Sequence, residues 1–166
     1  MKHKHIIIDG PDGCGKTTIV KMLSKKLDIP ILKMLSAKSL FNKNVIEIAS
    51  YTFTQLLIQL KNYEYILDRG FITSLVYSKV YNRKDDLSYL KAVEKQMKPV
   101  IIILTATNEE LFKRRPVDAI ISREQRIKVK DEYDRLAKEQ KYNLIDTTGL
   151  TRKQVLNKVI QIIETN

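Results

Sequence analysis

The sequence predicts an α/β fold in which helices cover both faces of a five-stranded parallel sheet. Two predicted strands, His5–Asp9 and Val100–Thr105, are almost continuously apolar, which is typical of parallel strands buried on both faces. Between the strands, apolar residues recur at helical spacing, and strands that alternate with helices indicate a parallel sheet. Since no Pro/Gly/Ser-rich linker interrupts this alternation, we expect a single domain over residues 1–166.

The other elements are predicted from shorter signals. The remaining strands are expected at Pro30–Met34, Tyr63–Leu67 and Tyr142–Ile145. Helices are expected at four apolar stripes: Val20, Leu23 and Leu27; Ile46, Ala49, Phe53, Leu56, Leu57 and Leu60; Val129, Tyr133, Leu136 and Ala137; Leu156, Val159, Ile160 and Ile163. Capping-box patterns that begin at Thr107, Ser122 and Thr151 predict three helix starts.

Composition limits the possible locations and partners. The chain has 166 residues, a formal net charge of +11 and one cysteine, Cys14, so an intrachain disulfide is excluded and a reducing, cytoplasmic location is favoured. No apolar run approaches the roughly 18 residues of a membrane helix, so we expect no membrane partner. The positive charge favours anionic ligands, but the lysines are scattered, so charge alone does not choose between nucleotides and nucleic acid.

The segment after the first strand carries the most specific motif. Gly10-Pro11-Asp12-Gly13-Cys14-Gly15-Lys16-Thr17-Thr18 reads as G-x-x-x-x-G-K-T between a predicted strand and a predicted helix, which predicts a three-layer P-loop NTPase fold. The glycines let backbone N–H groups point at phosphate oxygens, beside the positive end of the helix dipole. Lys16 is expected to reach the β- and γ-phosphates of ATP, and the Thr17 hydroxyl to bind Mg²⁺.

A second polar motif, Asp68-Arg69, follows the third predicted strand. Ligands of parallel α/β sheets bind beyond the carboxyl ends of the strands, so both side chains should face the phosphate site. Asp68 is expected to hold Mg²⁺ through water, and Arg69 to bind a second phosphate with two hydrogen bonds. A GTP switch is not indicated, because the nearest match to Asn-Lys-x-Asp ends in Val45.

Three segments together resemble the thymidylate kinase family of nucleoside monophosphate kinases: residues 8–18, residues 68–77 and the pattern from Leu104 to Tyr133. The resemblance implies an ATP- and magnesium-dependent transferase of nucleotide biosynthesis, with thymidylate or a related pyrimidine deoxynucleotide as the leading acceptor. Dimers are common in this family, so a homodimer is a further expectation. The resemblance also implies acceptor contacts from Asp12, Lys33, Phe53, Arg69, Thr73 and Tyr77.

The chain departs from the family pattern mainly where the acceptor should bind. Gly70 follows Asp-Arg where the family usually has an aromatic residue or histidine. Residues 45–60 contain no arginine to read thymine, and only Lys33 and Lys38 are available where a phosphate-binding arginine is usual. The sequence therefore supports the acceptor's phosphate site better than its base site.

The catalytic cation is predicted in a lid, defined as residues 114–123. Some thymidylate kinases carry an arginine directly after the central acid of the P-loop, but Gly13 occupies that position here. Arg114, Arg115 and Arg123 flank a segment that Pro116 separates from the preceding helix. Arg115 is the first candidate because it adjoins this break; Lys16 and Arg69 complete the set of catalytic candidates.

Two other functions fit the sequence. A deoxynucleoside kinase, or a kinase of polynucleotide 5′-hydroxyl ends, would need a carboxylate as general base, and Asp12 or Asp9 could serve. Nucleic acid is thus a less favoured partner than a nucleoside monophosphate. A non-catalytic nucleotide-binding module is the remote third interpretation.

Overall fold

The computed structural model describes residues 5–33, 43–83, 87–116 and 121–166, without the side chains of residues 43–50 and Ser88. The strands are β1 (His5–Asp9), β2 (Ile31–Lys33), β3 (Tyr65–Asp68), β4 (Val100–Thr105) and β5 (Asn143–Asp146). The helices are α1 (Lys16–Leu27), α2 (Lys43–Gln59), α3 (Phe71–Val80), α4 (Ser88–Met97), α5 (Asn108–Arg114), α6 (Arg123–Glu139) and α7 (Arg152–Thr165).

The sheet brings the two sequence motifs to the same edge. All of its neighbouring strands are parallel, in the order β2-β3-β1-β4-β5, so β1 lies between β3 and β4. Ile8 of β1 is paired with Asp68 of β3, and Asp9 with Ile103 of β4. Gly10, the first residue of the P-loop, directly follows β1, and Asp68 ends the neighbouring strand β3. The P-loop and the Asp-Arg motif therefore lie side by side at the carboxyl ends of adjacent strands.

Helices cover both faces of the sheet, which confirms the predicted fold class. Ile6 and Ile8 of β1 pack on one face against buried residues of α1 and α7. Ile7 packs on the opposite face with buried residues of α2, α3, α4 and α6. This alternation along one strand accounts for the continuous apolar run in the sequence, because each face has its own helical layer.

Most predicted elements are present, with shifted ends at the shorter strands. The bounds predicted for β1 and β4 agree with the structure, whereas β3 and β5 begin later than predicted and each ends at an aspartate. Capping boxes at Ser122 and Thr151 are confirmed, and the Thr107 hydroxyl accepts a hydrogen bond from the Glu110 N–H. The stripe side chains Ile46 and Ala49, with Met34, lie outside the described residues. In the part of the chain that is described, no helix is both long and apolar enough to cross a membrane.

Candidate active site

Two glycines give the P-loop its shape. Gly10 and Gly13 have φ angles of 140° and 92°, in the range that favours glycine. A Cβ atom at Gly10 would collide with the carbonyl oxygen of Leu104, and one at Gly13 would lie 2.7 Å from the carbonyl oxygen of Leu111. The start of the loop is thus pressed against β4 and its middle against α5. An arginine at position 13 would not fit this packing, so a catalytic cation has to come from another segment.

Lys16 lies at the first turn of α1, and its side chain is buried. Its ammonium group donates hydrogen bonds to the carbonyl oxygens of Gly10, at 2.6 Å, and of Pro11, at 2.7 Å. The ammonium group of Lys16 therefore lies inside the P-loop, against its backbone carbonyls. Cys14 is also buried, which raises the pKa of its thiol and disfavours the reactive thiolate.

Thr17 and Asp68 lie together at the site predicted for Mg²⁺. The Thr17 hydroxyl donates a 2.9 Å hydrogen bond to the buried carboxylate of Asp68. A hydroxyl and a carboxylate are hard oxygen donors, which suit Mg²⁺, so the donor set fits the predicted cation. Lys33 is paired with Asp68 in the register of β2 and β3, so it too lies at this edge.

Asp12 is held between two arginines. Its carboxylate forms an ion pair with Arg69, and its second oxygen lies 3.5 Å from Nη1 of Arg115. Burial acts to raise the pKa of Asp12, but the positive charges of Arg69, Lys16 and Arg115 together hold that pKa below its ordinary value. Asp12 is therefore an ionised, charge-paired group at the centre of the site.

Arg69 has an unusual backbone conformation. Its φ angle of 70° lies in the left-handed region that residues other than glycine rarely adopt. Its N–H donates a 3.1 Å hydrogen bond to the carbonyl of Ile8, which fixes this conformation against β1. Such local strain is often found where a side chain must point at a ligand. Here it directs the guanidinium towards Asp12.

Asp9 connects four segments of the site. Its fully buried carboxylate accepts hydrogen bonds from the N–H of Gly10 (2.8 Å), Gly70 (3.1 Å) and Thr73 (3.0 Å). The hydroxyls of Thr73 and Tyr133 donate to the same carboxylate at 2.9 Å and 2.8 Å. Asp9 therefore fixes the P-loop, the Asp-Arg motif, α3 and α6 relative to one another. The Thr73 hydroxyl, a predicted acceptor contact, is engaged in this network.

A cavity of about 650 Å³ adjoins the P-loop. Its lining includes residues 12–18 together with Arg69, Arg114, Arg115 and Thr147. The cavity thus contains all of the predicted ATP-binding residues except Gly10. Its volume and its lining of backbone N–H groups and cations are suited to a nucleoside triphosphate.

The three predicted lid arginines have different surroundings. Arg114 donates to the hydroxyl oxygen of Thr147 at 2.8 Å and to its carbonyl at 2.9 Å, which ties α5 to the loop after β5. Arg115 is 47% exposed and reaches Asp12. Arg123 lies over the ring of Phe112, with 4.8 Å between its Cζ and the ring centroid. Residues 117–120 of the predicted lid lie outside the described part of the chain.

The remaining acceptor candidates surround the site less closely. Tyr77 and Asp12 both line a small cavity between α3, α5 and α6. Phe53, on α2, is partly buried and packs against the core on the α2 side of the sheet. Lys38 lies outside the described residues. The structure therefore groups Asp12, Arg69 and Tyr77, whereas Phe53 belongs mainly to the core.

Sequence reasoning missed three contributors to this site: the bridging role of Asp9, the bond of Thr147 to Arg114, and Arg126 on α6. Arg126 donates to the carbonyl of Arg115 at 2.7 Å. Asp9 and Thr147 each adjoin the carboxyl end of a strand, which is a signal that could have marked them. No sequence pattern marks Arg126, because its hydrogen bonds go to backbone carbonyls of other segments, which residues of any type carry.

The chain is similar to known P-loop proteins and nucleotide kinases. Residues 1–69 match the family model described as the Rad17 P-loop domain. A protein of Methanocaldococcus jannaschii named "Probable thymidylate kinase" is 28% identical, with 93% of each chain covered. Among solved structures, thymidylate kinase from Candida albicans has a TM-score of 0.68 at 22% identity, covering 99% of this chain and 92% of that one.

A deoxyadenosine kinase from M. mycoides, solved with dCMP and dCDP bound, has a TM-score of 0.67 at 20% identity, covering 98% of this chain and 100% of that one. These structural neighbours show the three-layer P-loop NTPase fold. The similarity to thymidylate kinases extends over nearly the whole chain, so the resemblance that the motifs indicated is confirmed.

Proposed function

We propose that this thymidylate kinase-like P-loop protein transfers the γ-phosphoryl group of ATP to the 5′-phosphate of a nucleoside monophosphate. Thymidylate or a related pyrimidine deoxynucleotide is the leading acceptor. The relatives named as thymidylate kinases and the kinase-like structures support this class of reaction. Phe53 packs with the core and residues 45–60 carry no arginine, so the choice of base rests on the named relatives.

The arrangement around Asp12 supports a phosphate acceptor over a hydroxyl acceptor. A hydroxyl acceptor needs a general base with a pKa near the working pH, whereas an acceptor phosphate is already a nucleophile. The pKa of Asp12 is lowered by Arg69, Lys16 and Arg115, which makes this carboxylate a weak base. The carboxylate of Asp9 is fully buried and already accepts five donors.

Besides Asp12, the described lining of the ATP cavity contains one acidic residue, Glu110. Its carboxylate accepts a 2.8 Å hydrogen bond from Arg114. Asp12 and Glu110 are therefore paired with cations and Asp9 is saturated with donors, while Asp68 is assigned to Mg²⁺. Arg69 and Arg115 both approach Asp12, and two cations at one point favour the binding of a second phosphate there.

The mechanism requires alignment and charge neutralisation and little covalent chemistry. The P-loop N–H groups and Lys16 bind the phosphates of ATP, and Lys16 stabilises the charge that develops on the transferring group. Arg69 orients the acceptor phosphate, and Asp12 fixes the Arg69 guanidinium. Arg115 approaches the transferring group from the end of α5. Thr17 and Asp68 would hold Mg²⁺, which supplies neutralisation of the phosphate charge.

The decisive experiment is an acceptor panel with ATP and Mg²⁺. Nucleoside monophosphates, nucleosides and 5′-hydroxyl oligonucleotides are tested in parallel, with product identified by mass spectrometry. We expect nucleoside diphosphates to form, and thymidylate to rank among the best acceptors. Phosphorylation of nucleosides or oligonucleotides in place of monophosphates would refute the proposal. ATP binding without transfer to any acceptor would instead support the non-catalytic module.

A further inference from the structure

Arg126, on α6, is bonded to the backbone of Arg115, where α5 ends; we call this point the lid base. It lies in the first turns of α6, and its Nη1 donates a 2.7 Å hydrogen bond to the carbonyl oxygen of Arg115. Arg115 is the C-cap of α5 and has an extended backbone, with φ −143° and ψ 97°. Carbonyl groups at a helix C-terminus lack partners within their own helix. The guanidinium of Arg126 supplies one of those partners from a different helix.

The same guanidinium also approaches the P-loop. Its Nη2 lies 3.5 Å from the carbonyl oxygen of Asp12, a long contact that adds to the shorter bond. The ring of Phe112 supports the group from α5, with 5.0 Å between the Arg126 Cζ and the ring centroid. Arg126 therefore contacts Phe112 of α5, the backbone of Arg115 in the lid and the backbone of Asp12 in the P-loop.

Arg123 provides an internal comparison for these contacts. It has the same charge, lies one turn earlier on α6, and its Cζ lies 4.8 Å from the same ring centroid. Among the described residues, Arg126 donates hydrogen bonds to the backbone carbonyls of Arg115 and Asp12, whereas Arg123 contacts the ring of Phe112. The two arginines thus share the stacking contact and differ in the bond to the lid base.

We propose that Arg126 is a positioning residue that sets the place of Arg115 relative to Asp12 and the P-loop. This inference rests on the proposed function, in which Arg115 stabilises the transferring phosphoryl group. The Arg115 side chain is half exposed, and among the described residues its ion-pair partner is Asp12, at 3.5 Å. Its position therefore depends on its backbone, which Arg126 holds. Small displacements of a catalytic group can cost on the order of a hundredfold in rate.

The test is a double-mutant cycle on kcat, with whichever acceptor the wild-type protein phosphorylates best. The single variants are Arg126→Ala, Arg115→Ala and, for comparison, Arg123→Ala; the double variant combines Arg126→Ala with Arg115→Ala. We expect Arg126→Ala to lower kcat at least about tenfold relative to wild type, because Arg126 holds the backbone of Arg115. The ATP dissociation constant should change by less than about threefold, since Lys16 and the P-loop N–H groups that bind the phosphates are unaltered.

The cycle separates positioning from a general structural effect. If Arg126 acts through Arg115, its removal should lower kcat by less than about twofold further once Arg115 is already alanine. Equal losses in both backgrounds, or a loss of less than about tenfold from Arg126→Ala alone, would overturn the inference. If Arg126→Ala does not fold, Arg126→Gln replaces it in the same cycle, judged by the same criteria. If the wild-type protein phosphorylated nucleosides instead of monophosphates, the proposed function would be refuted. The role of Arg126 would still be tested, because the cycle can be measured with a nucleoside as acceptor.

Discussion

The hydroxyl of Thr17 donates a 2.9 Å hydrogen bond to the carboxylate of Asp68, although the two residues are 51 positions apart in the chain. Thr17 follows the P-loop lysine and Asp68 ends β3, the strand beside β1. The parallel register of these strands places both oxygens at one edge of the sheet. This contact links the nucleotide motif to the Asp-Arg motif at the predicted Mg²⁺ site.

Replacement of Asp68 by Asn should raise the Mg²⁺ concentration needed for half-maximal activity by about tenfold or more. The amide keeps the size of the side chain and loses the negative charge that attracts the cation. The measurement is kcat as a function of free Mg²⁺ at saturating ATP. Thr17→Ser is the matched control, since it keeps the hydroxyl and should leave the Mg²⁺ dependence within about threefold of wild type. An unchanged requirement in the Asn variant would exclude Asp68 from the site.

Lys16→Ala should leave less than about a tenth of the wild-type kcat, because loss of one such electrostatic contact costs several kcal/mol in the transition state. The fold should remain, since the ammonium is bonded to carbonyls of the P-loop itself rather than to distant elements. Steady-state kinetics measure the loss, and circular dichroism with thermal melting checks the fold. A folded variant with more than a tenth of the activity would contradict the role of Lys16.

Arg69→Ala should raise the acceptor KM and lower kcat, with the ATP dissociation constant changed little. Arg69 is paired with Asp12 on the acceptor side of the P-loop, while Lys16 lies among the loop carbonyls. Arg69→Lys is the matched control, which keeps the charge and loses the planar fork that binds a phosphate bidentately. Calorimetry of ATP and acceptor binding separates the two effects. Equal weakening of both ligands would place Arg69 on ATP instead.

The Asp12 ion pairs should make stability depend on pH in a defined direction. Since the pKa of Asp12 is lowered in the folded state, its ionised form stabilises the protein above its unfolded pKa of about 4, and this stabilisation is lost as pH falls through the folded pKa. Asp12→Asn lacks that contribution. Hence the difference in melting temperature between wild type and this variant should be largest near about pH 6 and shrink towards about pH 3. A difference that grew on acidification would contradict the lowered pKa.

The sequence predicted the central strands well, because β1 and β4 are covered on both faces and their apolar runs start and stop with burial. β3 was predicted to start at Tyr63, but that side chain is 65% exposed and the strand begins at Tyr65. Neither α3 nor α4 was predicted from the sequence. The apolar residues of α3 are too evenly spread to form a stripe, whereas the buried Leu90, Val93 and Met97 of α4 have helical spacing and were missed. The prediction was therefore most accurate for the central strands, whose apolar runs are continuous.

At the candidate site, local motifs were predictable and contacts between distant segments were not. The P-loop, Asp68 and Arg69 each stand next to a strand end and have a recognisable spacing. Asp9, by contrast, bonds to Thr73 and Tyr133, 64 and 124 positions away, and its neighbours in sequence do not reveal either contact. The two residues proposed as alternative bases, Asp9 and Asp12, could be judged only once these partners were known.

The acceptor is proposed to be a phosphate, and this is tested most directly by comparing thymidine monophosphate with thymidine. The two compounds share base and sugar, so the ratio of their kcat/KM values isolates the acceptor group. With Arg69 available for a phosphate and Asp12 a weak base, we predict that the monophosphate is preferred by at least about a hundredfold, provided that both are measured with ATP and Mg²⁺. Equal or faster phosphorylation of thymidine would contradict the proposal that the acceptor group is a phosphate.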